Sequence, residues 1–71
     1  MRYREYKDKN GDVVCPDDHI WFADGTIGHI VICNDPFDEK DYDFELGVEC
    51  NDSEAYLLYQ FDNKEYEIIK Q

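Results

Sequence analysis

CPDDHIWFADGTIGHIVIC, residues Cys15 to Cys33, decides which fold this 71-residue chain can build. Cys15 lies four residues before His19, and Cys33 lies four residues after His29, so two thiols and two imidazoles stand in mirror order about Asp24. On a helix, the i, i+4 spacing would bring each Cys and His onto one face. Pro16, Gly25, Gly28 and the Ile/Val content argue against a helix here. As strands, the stretch is a hairpin turning at Asp24-Gly25, a strong hairpin dipeptide.

Two registers suit that hairpin. In the first, Trp21 pairs with Ile27, His19 faces His29 and Cys15 faces Cys33. In the second, Ile20 faces His29, Phe22 faces Ile27 and the Trp21 indole covers Gly28. Even in the first, the two Cys/His pairs are separated by about 13 Å along the strands, at roughly 3.3 Å per residue. Tetrahedral zinc needs all four donors within about 2.3 Å of one ion. No metal or other cofactor is therefore expected, and the cysteines read as small, mostly buried hydrophobes. A Cys15–Cys33 disulfide fits the first register but needs an oxidising compartment. The same spacing keeps Cys15 and His19 too far apart to act as a nucleophile and its base, so no enzyme is expected.

Outward from this hairpin, turn signals recur at the spacing of a small all-β domain. Asn10-Gly11 in "DKNGDVV" predicts a type I′ hairpin between "RYREYK" and "VVC". The segment superficially matches a calcium loop through Asp8, Asn10 and Asp12, but Gly11 stands in the fourth place instead of the sixth, and it reads as a turn. In "YDFELGVEC", Tyr42, Phe44, Leu46, Val48 and Cys50 alternate with Asp43, Glu45, Gly47 and Glu49, which predicts a strand with one apolar and one acidic face. After Ser53 the apolar positions fit a helical face, yet Asp62-Asn63 would interrupt it. A hairpin tipped at Asn63-Lys64, pairing Phe61 with Tyr66 and Tyr59 with Ile68, is favoured.

The expected fold is all-β: one domain over residues 1–71, a small antiparallel barrel or strongly bent sheet of about six short strands joined by hairpins. The pattern "GDVV…DGTIGHIVI", Gly11 to Ile32, resembles the first strands of SH3-like small barrels. That resemblance implies a binding module and assigns no functional residue. A core this small often leans on a partner or a second copy, so a homodimer is compatible.

Charge supplies the functional expectation. The chain carries 18 acids against 7 bases, a net charge of −11. Binding to nucleic acid or an anionic membrane is disfavoured, because like charges repel. Residues 35–54 hold Asp35, Asp38, Glu39, Asp41, Asp43, Glu45, Glu49, Asp52 and Glu54 against Lys40 alone, so this segment supplies most of the excess. Concentrating like charge opposes folding, whereas a purely solubilising surface mixes signs. These nine acids are the expected partner-binding residues, with aromatic side chains interleaved, and the partner is a basic protein, a nucleic-acid-binding enzyme. In size and charge the chain resembles phage-encoded inhibitors that mimic DNA, of the anti-CRISPR and anti-restriction type. That likeness implies a phage or mobile-element inhibitor that blocks such an enzyme with nucleic-acid-like charge. The alternative is an SH3-like interaction or scaffold domain whose acidic exterior only confers solubility. "MRYREYKDK" lacks the apolar run of a secretion signal, and a cytoplasmic protein with reduced thiols is expected.

Overall fold

The computed structural model describes residues 2–35, 40–50 and 54–70. Five strands form one antiparallel sheet: β1 (His19–Phe22), β2 (Ile27–Cys33), β3 (Glu45–Cys50), β4 (Glu54–Leu57) and β5 (Tyr66–Ile68). Their order is β4-β3-β2-β1-β5, and β4 and β5 at the two edges do not pair, so the sheet is not closed into a barrel. The all-β expectation holds, with five strands among the described residues in place of about six. The N-terminal hairpin is reduced to a single bridge, Lys7 to Val13.

The β1–β2 hairpin adopts the first register, with His19 opposite His29, Ile20 opposite Gly28 and Trp21 opposite Ile27. The mirror does not extend to the cysteines, however. Asp18 N–H donates to the Cys15 carbonyl at 3.1 Å, closing a turn over Cys15–Asp18 before β1 begins. Pro16 pre-sets the first corner of that turn, and Asp17 takes the left-handed second corner at φ 73°. Cys33 instead lies opposite Glu45 on β3.

Both hairpin turns differ from type I′, which needs positive φ at two successive residues. Among the described residues, only Gly11 and Gly25 have positive φ in these turns. Gly25 N–H donates to Phe22 O at 2.9 Å and Phe22 N–H to Thr26 O at 2.8 Å, the bonding of a three-residue loop with a glycine bulge. Asp8, Gly11 and Asp12 repeat that pattern.

The C-terminal segment forms neither a hairpin nor an α-helix. Its two strands join opposite edges of the sheet, β4 beside β3 and β5 beside β1. Between them the chain crosses one face through two short 3-10 turns, Leu58–Gln60 and Asn63–Glu65. Leu58 is fully buried and anchors this crossing in a core of Val14, Ile20, Ile30, Phe44, Leu46, Val48 and Tyr66. Burying each such aliphatic side chain contributes about 1.5–3 kcal/mol, which outweighs local pairing of Phe61 with Tyr66.

The N-terminal hairpin covers the outer edge of β5. Lys9 N–H donates to Tyr66 O at 3.1 Å. The carboxylate of Asp8 accepts from the backbone N–H of Asn10 and Asp12, both at 2.9 Å, and of Ile68 at 3.0 Å. An exposed strand edge would present these groups to other chains. "DKNGD" is thus a turn whose buried aspartate binds backbone amides.

Candidate functional site

The nine acids expected to bind a partner do not form one row. Asp38, Glu39 and Asp52 lie outside the described residues. Glu45, which the alternation places on an exposed acidic face, is fully buried. Arg4 Nη1 reaches Glu45 Oε2 at 2.5 Å and Asp35 Oδ1 at 3.4 Å. Only 8% of the Asp35 side chain remains exposed. The Tyr6 hydroxyl also bonds to Glu45, and burial followed by that bond pushes the Tyr6 phenol far above its ordinary pKa. The Arg4 guanidinium sits 4.6 Å from the Tyr42 ring centre. Alternation gives the pleat correctly, but it cannot show that the N-terminal segment, 41 residues away, lies over Glu45.

Four of the nine are exposed: Asp41, Asp43, Glu49 and Glu54. Asp43 is held beside Arg2, whose backbone N–H donates to its carboxylate at 2.8 Å. Glu49 pairs across the ladder with Ala55, and Glu54 with Cys50. Successive strand positions point to opposite faces, so Glu49 and Glu54 face opposite ways.

On the Glu49 face, His19 and His29 stack with ring centres 4.8 Å apart, next to Glu49 in the ladder. His29 Nε2 lies 3.4 Å from Asp17 Oδ1. Among the described residues no group of three or more His, Cys, Asp or Glu side chains could hold a metal ion. All three cysteines are free thiols. Burial first, and then Glu45 for Cys33 and Asp24 for Cys50, raise these two thiol pKa values and make the thiols less ready nucleophiles.

The face carrying Glu54 holds a feature that no linear pattern displays. Phe22 from β1, Tyr56 from β4 and Phe61 from the crossing segment line a pocket of about 580 Å³. Phe22 and Phe61 have ring centres 5.0 Å apart; Tyr56 and Phe61 are 6.3 Å apart and nearly perpendicular, at 89°. Asp24 and Glu65 line the same pocket. Glu54 Oε2 accepts the Tyr56 hydroxyl at 2.5 Å, and this bond raises the Tyr56 phenol pKa. Hydrogen bonds from Thr26 hold Asp24 below the ordinary carboxylate range, keeping it charged. The sequence presents Asp24 only as a turn residue; its second role depends on the crossing segment lying against the β1–β2 turn. Trp21 is 47% exposed on the opposite face, across from Ile27.

No family model, curated protein or solved structure matches this chain. Among the described residues no helix is long and apolar enough to cross a membrane.

Proposed function

We propose that this protein is a non-enzymatic acidic binding protein that occupies the basic groove of a nucleic-acid-binding protein and blocks it, as an inhibitor of the anti-CRISPR or anti-restriction type would. The observation that carries this reading is the distribution of surface charge around an open aromatic pocket. With a net charge of −11, the chain leaves Asp24, Glu54 and Glu65 exposed beside Phe22, Tyr56 and Phe61. A groove built for nucleic acid offers Lys and Arg to phosphates and flat surfaces to bases. Carboxylates and aromatic rings around one open pocket match both. Burial of Glu45 and Asp35 moves the centre of the proposed surface from β3 to this pocket.

Capture from a nucleic-acid-depleted lysate tests the reading, with DNA as competitor and washes at about 50 and about 500 mM salt. A captured nucleic-acid-binding protein released both by DNA and by high salt is expected. Retention through both treatments overturns it. That outcome would favour the second reading, an SH3-like interaction domain that binds mainly through apolar surface, which draws support from the exposed Trp21 and the aromatic pocket.

A further inference from the structure

The pocket between β1, β4 and the crossing segment combines two kinds of wall. Phe22, Tyr56 and Phe61 give it aromatic sides, while Asp24 and Glu65 give it charge, and among the described residues no Lys or Arg lines it. An anion would be repelled by the carboxylates. A purely apolar ligand would suit the rings but would strip water from the acids without replacing their hydrogen bonds. A cation suits both, because aromatic π-faces attract positive charge.

Among cations, a guanidinium fits this combination better than an ammonium. It is planar and weakly hydrated, it stacks on aromatic rings, and its N–H fork donates to carboxylates. A lysine ammonium is a compact, strongly hydrated point charge. Acceptor capacity remains, since a carboxylate takes about four hydrogen bonds. Asp24 is bonded by the Thr26 amide at 2.9 Å and by the Thr26 side chain, and Glu54 by the Tyr56 hydroxyl.

We propose that this pocket receives an arginine side chain of the partner. The inference rests on the proposed reading of a basic partner and adds the residue type that anchors it. The probe is a blocked Gly-Arg-Gly peptide, titrated into the full chain and followed by amide chemical shifts. Peptides with lysine or with neutral citrulline in place of arginine are the controls. Saturable shifts centred on Phe22, Thr26, Tyr56 and Phe61 are expected with arginine, with affinity about threefold or more above lysine and no saturation with citrulline. Tyr56→Leu should weaken the arginine peptide about two- to fivefold. Glu65→Gln should also weaken it, at an unchanged thermal midpoint. Equal affinity for citrulline, equal affinity for lysine, or shifts scattered over the whole surface overturn the proposal. A captured basic protein that binds wild type and Tyr56→Leu equally would remove the pocket's role and leave the basic partner standing. Arginine binding here with no basic protein captured would do the reverse.

Discussion

Two corners of this small sheet treat the same residue types in opposite ways. Around Glu45, an acid, two tyrosines and an arginine close on one another: Arg4 bonds Glu45 and Asp35 and lies over Tyr42, and Tyr6 bonds Glu45. Around Tyr56, acids and rings also meet, but among the described residues no Lys or Arg lines the pocket, and it stays open. The first corner satisfies its charge internally and serves stability. The second leaves its charge available to another molecule. Acid content alone does not tell the two apart; whether a basic side chain arrives from elsewhere in the fold does.

The contrast breaks most severely at Glu45. Glu45→Ala leaves Arg4 without its closest partner in a largely covered site, and the expected loss is about 3 kcal/mol. For a domain this size that lowers the thermal midpoint by at least about 12 °C. Replacing Arg4, Asp35 and Glu45 together with Met, Asn and Leu should cost less than Glu45→Ala alone, since neither covered carboxylate is then left without Arg4. A triple variant less stable than the single one would show that the charged cluster itself holds the corner together.

Asp8 is a second internally satisfied acid. Burial opposes its ionisation, yet the amides of Ile68, Asp12 and Asn10 overcome this and hold its pKa below the ordinary 3.8. The folded state therefore binds its proton less readily than the unfolded chain. The resulting stability is present above about pH 4 and is lost as pH falls through the folded-state value. Asp8→Ala should cost about 2 kcal/mol at pH 7, and the gap to wild type should narrow in urea denaturation below pH 4. A gap that stays constant down to about pH 2 would mean the carboxylate charge contributes nothing.

A smaller loss is expected at Gly28, which β1 and β3 flank at close range. A Cβ there would collide with Val48 Cγ2 and press on Phe22. Gly28→Ala should destabilise the protein by about 1–2 kcal/mol. Because Phe22 also walls the pocket, binding of the arginine peptide should weaken with it. The smallest effect belongs to the open corner. Glu65→Gln should leave the urea midpoint unchanged while flattening the salt dependence of partner binding. A shifted midpoint would show that this acid, like Glu45, serves the fold.

Much of this architecture is legible before folding. Asp24-Gly25 and Asn10-Gly11 mark the turns, and alternation from Tyr42 to Cys50 locates β3, although the strand itself begins only at Glu45. The turn class is not legible, because type I′ and the glycine-bulge loop share the same dipeptide and differ in loop length and in how many residues take positive φ. The expected C-terminal hairpin does not form because cross-strand matching of Phe61 with Tyr66 weighs only local partners. Leu58 and Tyr66 find a larger burial in the core, on opposite sides of the crossing segment. The site is less legible: of the nine acids singled out, Glu45 and Asp35 are covered, whereas the pocket residues lie on four separate pieces of chain.

Sequence by itself determined the strand period, the turns at Asn10-Gly11 and Asp24-Gly25 and the excess of negative charge, because these depend on side-chain alternation, glycine conformation and composition. Only the tertiary structure decided which carboxylates meet a cation and which meet solvent. That choice depends on contacts 41 residues apart, as between Arg4 and Glu45, and on one crossing segment that carries Phe61 between β1 and β4. Neither leaves a periodic trace in the chain, since long-range pairing is set by how apolar surface is buried and not by spacing along the sequence.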